Sequence, residues 1–221
     1  GFGNLKAHFA TESLINDAGE ALGIDPLDIR LLNAARPGDT SVHGAHFYTS
    51  GLVECIERAA ELSDYRKKRA NPGKNRGIGV ACMVHVSGKR HFGDWDGSTA
   101  MIQASEDGKF FVLCGEGDTG SGARTVLSQI AADEIGVPLE DISMSMSDTN
   151  MTPYAHGTHA SRVTYIAGNA VKAAARQIRQ QLIELAADRL EADPEDIDIK
   201  DGRIFVKGAP DRSMTVREAA A

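Results

Sequence analysis

Two loops carry the residue types whose spacing could do chemistry. The first is Cys114-Gly115-Glu116-Gly117-Asp118-Thr119-Gly120-Ser121-Gly122, set between a strand-like run and a helical pattern. Its glycines allow backbone N–H groups to converge, and a following helix N-terminus adds partial positive charge, so the place suits a phosphate or another anion. Gly115, Gly117 and Gly120 spell G-x-G-x-x-G. That motif alone is weak, because a dinucleotide site also wants an acidic residue about 20 positions onward after the next strand. The nearest candidate, Asp148, lies further on, and the strand before the loop reads as half of a hairpin. A glycine loop without a ligand is the competing reading.

The second loop runs Pro153-Tyr154-Ala155-His156-Gly157-Thr158-His159-Ala160-Ser161-Arg162-Val163-Thr164. Its hydroxyls, histidines and arginine can donate many hydrogen bonds to a polyanionic cofactor. His156 and His159 could instead take part in a metal site, but no third ligand stands at useful spacing, and solvated or core-satisfied histidines fit as well.

These loops need elements to position them. Leu14, Ile15, Ala18, Ala21 and Leu22 predict a helix with Thr11 as N-cap and Gly23 as stop. A second helical pattern follows Ser50 through Leu52, Val53, Ile56, Ala59 and Ala60 into the basic stretch 66–69, and Asn71-Pro72-Gly73 reads as a linker. Strand-like runs cover 77–86, 99–105 and 109–114, the last two joined at Asp107-Gly108, where positive backbone angles close a tight hairpin. After the glycine loop come a helix carrying Val126, Leu127, Ile130, Ala131 and Ile135, and a strand from Ile142 to Met146. The longest helix starts near Gly168, with Val171, Ala174, Ala175, Ile178, Leu182, Leu185 and Ala186 on one face. A last hairpin turns at Asp201-Gly202. Three short runs, at Pro26, Pro138 and Pro194, read as recurring exit loops after helices. Strands and helices interleave without a regular βαβ period. The expected class is α+β, with mixed or antiparallel sheets and packed helices: a helical opening segment over residues 1–70 and a continuous α+β region over 71–221.

With 24 basic against 31 acidic residues, a net charge of -7 argues against a surface that neutralises nucleic-acid phosphates. No apolar run approaches the roughly 20 residues that span a bilayer. Cys55, Cys82 and Cys114 are too scattered for a disulfide framework or an iron–sulfur cluster site, which points to a reducing, cytoplasmic setting.

Taken together, the two loops, the opening Gly1-Phe2-Gly3 and the stretch Asp25-Pro26-x-x-Ile29-Arg30-x-x-Asn33 resemble the molybdopterin-binding large subunit of the xanthine dehydrogenase family of molybdenum hydroxylases. The resemblance covers nearly the whole chain and implies a molybdopterin-binding region. Gly1-Phe2-Gly3 looks like the end of the family's Arg-Gly-Phe-Gly loop beside the molybdenum, with Phe2 as the ring against which substrate packs. Thr119-Gly120-Ser121-Gly122 looks like the Gly-Gln-Gly loop that holds the pterin; Ser121 replaces the glutamine, so one amide hydrogen bond must be lost or replaced. Thr158-His159-Ala160-Ser161-Arg162-Val163 looks like the turn that contacts pterin and dinucleotide, and Arg162-Val163-Thr164 is most similar to the 4-hydroxybenzoyl-CoA reductase branch.

The resemblance further implies molybdenum with molybdopterin in its cytosine dinucleotide form. Iron–sulfur clusters and FAD would sit on partner domains or subunits, and the partners would be the remaining large-subunit segments, an iron–sulfur subunit, a FAD subunit and a small-molecule substrate. The general-base glutamate would lie outside this chain, so no catalytic residue is assigned within it. The chain is expected to be an incomplete piece of a larger subunit, inactive alone. The alternative is a non-catalytic module that grips an anion or nucleotide through Gly115 to Gly122.

Overall fold

The computed structural model describes residues 3–85, 87–88 and 96–221. The chain groups into two compact units, Gly1–His85 and Val86–Ala221.

The first unit is helical. Helix α1 (Asn4–Leu22) starts on Gly3 at φ 79° and stops at Gly23, whose left-handed conformation lets its N–H reach back to the Glu20 carbonyl. The expected start at Thr11 is corrected: Thr11 lies inside the helix and its hydroxyl returns to the Ala7 carbonyl at 3.0 Å. The apolar face expected for α1 is largely exposed, Leu14 at 67% and Leu22 at 68%, and its buried residue is Gly19. There the turn leading into α2 (Pro26–Asn33) passes so closely that a Cβ would meet the Ile24 carbonyl oxygen at 2.9 Å.

Helix α2 replaces the first of the expected exit loops. Asp25 caps it by accepting the Leu27 N–H at 2.8 Å, and Pro26 sits in its first turn, where a missing N–H costs nothing. Arg30, 5% exposed, donates from Nε to Glu12 at 2.8 Å and from Nη1 to Asn16 at 2.9 Å, which pins α2 to α1. The Asp25 to Asn33 stretch is thus a structural motif. Helices α3 (Leu52–Leu62) and α4 (Tyr65–Ala70) break at Asp64, φ 52°, and add Ile56 and Tyr65 to a small core with Leu27 and Ala34.

The strand expected over 77–86 is corrected for residues 77–85, which form none; Val86 lies outside the described residues. Its backbone amides go to α1 side chains instead: Cys82 N–H donates to Glu12 at 2.8 Å and Val84 N–H to His8 Nε2 at 3.0 Å. A strand-like sequence needs a sheet edge, and here helix side chains take its donors first.

The second unit is built on two three-stranded sheets. Strands β1 (Ala100–Ala104) and β2 (Phe110–Cys114) form the expected hairpin. Strand β3 (Ile142–Met146) then pairs with β2 in parallel, so β2, α5 (Ala123–Ile135) and β3 make a crossover unit. β2 is therefore both a hairpin strand and the first strand of a parallel pair. The second sheet carries β4 (Ile197–Lys200), β5 (Arg203–Val206) and β6 (Ala209–Thr215), all antiparallel, followed by α7 (Val216–Ala220). The polar text of β6 hides its strand character. The runs at Pro138 and Pro194 open into single 3₁₀ turns that feed β3 and β4.

Helix α6 (Gly168–Leu190), entered through a π turn over Val163–Ala167, packs on α5, β1 and the second sheet. Its Val171 and Ala175 are fully buried; Leu182, Ile183 and Ala186 meet Phe110, Ile197, Ile199 and Ile204 in the main core. Leu185, expected on the same face, is half exposed. Val112, Cys114, Leu127, Ala131 and Met144 form a second cluster beneath the glycine loop.

Candidate functional site

Strand register decides where the loops lie. Cys114 pairs with Met146 in the parallel direction and with Ala100 in the antiparallel one. The segment before β1, the loop after β2 and the loop after β3 therefore emerge at one end of the sheet. This end, at the carboxyl termini of the parallel strands, is where α/β crossover units place ligands.

The loops are pressed together by contacts that glycine permits. A Cβ on Gly115 would stand 2.3 Å from the Pro153 carbonyl oxygen. Gly117 donates its N–H to Thr158 Oγ1 at 3.0 Å, and the same hydroxyl donates to the Gly117 carbonyl at 2.5 Å. Ser147 Oγ donates to the Glu116 carbonyl at 3.0 Å, and Thr99 N–H reaches the Tyr154 carbonyl at 3.2 Å.

Asp118 organises the exposed rim. Its Oδ1 accepts the N–H groups of Gly120 and Gly122 at 3.0 and 3.2 Å, and Oδ2 accepts that of Arg124 at 3.2 Å. The Arg124 amide above all, with those of Gly120, Gly122 and Ser121, holds the Asp118 carboxyl below its ordinary value. The amide nest at the start of α5 is thus occupied by the chain's own anion. Thr119 and Ser121 are exposed beside it; around Gly120 and Gly122, both at positive φ, a Cβ would meet nothing within 4 Å. Asp148 accepts the Asn150 N–H at 2.9 Å and shapes a local turn.

Arg162 faces inward. Its side chain is fully buried, as is that of Glu116, and Asp96 is 10% exposed. Arg162 Nη1 donates to Glu116 at 2.5 Å and to the Gly157 carbonyl at 2.8 Å; Nε donates to Asp96 at 2.6 Å; Nη2 donates to the Gly97 carbonyl at 2.7 Å. Burial works to lower the guanidinium pKa, but the two carboxylates outweigh it and raise it. Among the other residues expected at the site, Ala160 and Ser161 both take positive φ, and the Ala160 carbonyl accepts the Gly88 N–H at 2.7 Å. Ser161 is exposed, and buried Val163 opens the π turn into α6. The His159 ring packs edge-on against that of His156 at 5.3 Å. Gly3 belongs to the first unit; Gly1 and Phe2 lie outside the described residues. No group of three or more His, Cys, Asp or Glu placed to hold a metal ion occurs among the described residues.

Sequence reasoning missed Asp96, Glu116 and Asp118. Asp118 carried a signal, an acidic residue two positions before one glycine and four before another, as in turns closed by an aspartate side chain. Asp96 carried none, since its partner stands 66 residues away.

An α+β domain whose two donor-rich loops are clamped at one end of a mixed sheet is a scaffold for gripping a polar cofactor. The family described as molybdopterin cofactor-binding domain matches residues 55–221, and the chain belongs to it. It is similar to the xanthine dehydrogenase molybdenum-binding subunit of Escherichia coli O157:H7, 36% identical over 97% of this chain and 29% of that protein. It is also 31% identical to the nicotine 6-hydroxylase large subunit of Paenarthrobacter nicotinovorans, over 100% of this chain and 29% of that protein. The crystal structure of quinoline 2-oxidoreductase from Pseudomonas putida 86 superimposes with a TM-score of 0.71 at 30% identity, covering 96% of this chain and 29% of that one. The chain thus spans about 29% of the length of these relatives.

Proposed function

We propose that the chain forms part of the cofactor pocket of a molybdenum hydroxylase large subunit, and that the rim around Asp118 takes the pterin. The observation that carries this reading is the occupied nest. Because Asp118 already accepts the amides at the start of α5, a phosphate there would meet a carboxylate. What stays open is neutral: the hydroxyls of Thr119 and Ser121 and the space beside Gly120 and Gly122. That chemistry suits the hydrogen-bonding edge of a pterin and disfavours the alternative of a simple anion or nucleotide module.

Thr158 to Val163 would take the cofactor's outer part, in the cytosine dinucleotide form. Ser161 is the exposed donor there, and the spiral that begins at Val163 leaves its first N–H groups outside the helical ladder. Arg162 would act by shaping this turn. By the family resemblance alone, Gly1, Phe2 and Gly3 are proposed as further cofactor-binding residues, with Phe2 also serving substrate. Bound in this way, the cofactor supplies two-electron chemistry that exchanges an oxygen atom with a substrate carbon.

This chain would hold and orient the cofactor, and the general base would come from outside it. Its own Glu184, Glu191, Glu195 and Glu218 are exposed, and Glu218 closes a capping box with Thr215 at the start of α7. Electrons would pass to iron–sulfur and FAD partners, in the cytoplasm; no helix among the described residues is long and apolar enough to cross a membrane. The substrate class is an aromatic or heterocyclic carbon or an aldehyde. The reductive branch acting on an aromatic CoA thioester rests on Arg162-Val163-Thr164 alone.

The test is elemental analysis for molybdenum with pterin fluorescence on the assembled complex. Molybdenum and pterin together, with iron and flavin, are expected; their absence from an intact complex would overturn the reading.

A further inference from the structure

The buried guanidinium of Arg162 is unlike a ligand contact. Four donations leave it and end on three chain segments of the loop end: Asp96 and Gly97 before β1, Glu116 after β2, and Gly157 after β3. Such a cluster is not needed for folding stability alone. Two carboxylates and a guanidinium brought out of water regain little beyond their desolvation, and apolar side chains of similar volume would fill the space at equal or lower cost. What apolar groups cannot reproduce is direction. A planar fork with fixed donor angles sets the spacing of its acceptors, and Lys, a point charge on a flexible stem, cannot do the same.

Here the acceptors are the backbones and carboxylates of the loops that would carry the cofactor. Glu116 is flanked by Gly115, which touches Pro153, and Gly117, which is held by Thr158, so a displacement of Glu116 is passed to both loops.

We propose that Arg162 is a positioning residue: through Glu116 and Asp96 it sets the distance between the Thr119 to Gly122 rim and the Thr158 to Val163 turn, and it touches no part of the cofactor. This inference rests on the proposed molybdopterin site. It assigns Arg162 a role opposite to direct contact, and it names Glu116 and Asp96 as members of the same device.

The test uses the complete complex with two variants. Arg162→Lys keeps the buried positive charge and loses the fork; the combined replacement Arg162→Met, Glu116→Leu and Asp96→Asn removes the charges and fills the space. Molybdenum and pterin content per complex is measured beside the melting temperature. The expected result is a cofactor content lower by about 10-fold in both, as for loss of outer-shell support at a cofactor site, with the melting temperature of at least one variant held near that of the parent.

Cofactor content at the parent level in either well-folded variant would overturn the proposal. A loss of content that only follows a loss of melting temperature in both would do so too, since it would reduce the cluster to structure. If the parent complex itself holds no molybdenum and no pterin, the site reading fails, and that outcome is distinct from either of these.

Discussion

Gly117 and Thr158, 41 residues apart, exchange two hydrogen bonds: the Gly117 N–H donates to the threonine hydroxyl at 3.0 Å, and that hydroxyl donates to the Gly117 carbonyl at 2.5 Å. One side chain thereby satisfies both backbone groups of a residue in the facing loop. The glycine loop is consequently held in one place before any ligand arrives, and pre-organisation of that kind lowers the cost of binding.

Thr158→Val is therefore expected to destabilise the chain by about 1–3 kcal/mol, because two partly buried backbone groups lose their partner while the side-chain shape is kept. Thr158→Ser keeps the hydroxyl and should cost less than about 1 kcal/mol. Urea denaturation of both variants checks this; a Thr158→Val loss no larger than that of Thr158→Ser would mean that the hydroxyl bridge contributes no more than the methyl group.

Gly115 and Gly120 should respond differently to alanine. At Gly115 the added carbon would stand 2.3 Å from the Pro153 carbonyl oxygen, so the two loops must part, at roughly 3 kcal/mol. At Gly120 it would meet nothing, and only the positive φ of 93° is penalised, by about 1 kcal/mol. Thermal denaturation should rank Gly115→Ala as clearly the worse. The reverse order would show that the loops are not in close contact.

The rim around Asp118 should loosen in acid. Its folded-state pKa lies below the ordinary carboxylate value, with the Arg124 amide as the largest cause, so its stabilising effect is fully present above that ordinary value and is lost as pH falls through the folded one. Backbone amide signals of Gly120, Gly122 and Arg124 should hold steady from neutral pH down to about pH 5 and then move between about pH 4 and the folded pKa. In Asp118→Asn this movement should vanish. Signals of the parent chain that stay fixed through that acid range would contradict the assignment.

Local features were legible in the amino-acid text because their causes are local. Asp107-Gly108 supplies the turn of the β1–β2 hairpin, Gly23 the left-handed stop of α1, and the spacing of Val171, Ala175, Leu182 and Ala186 the buried face of α6. The α+β class and the two loops followed from the same kind of reading. Where a local pattern had a rival use, the reading failed. Thr11 looked like a cap and bonds back along its helix, and residues 77–85 looked like a strand while α1 side chains took two of their amides.

The sequence alone therefore determined the β1–β2 hairpin, the glycine loop and the longer helices, since each depends on neighbours a few positions away. Only the tertiary structure decided that β3 would lie parallel to β2, that Gly115 would meet Pro153, and that Arg162 would turn inward to Glu116 and Asp96. Those outcomes depend on register between distant strands and on which charges are desolvated together. Both are settled by the packing of the whole unit, and no short window of residues contains them.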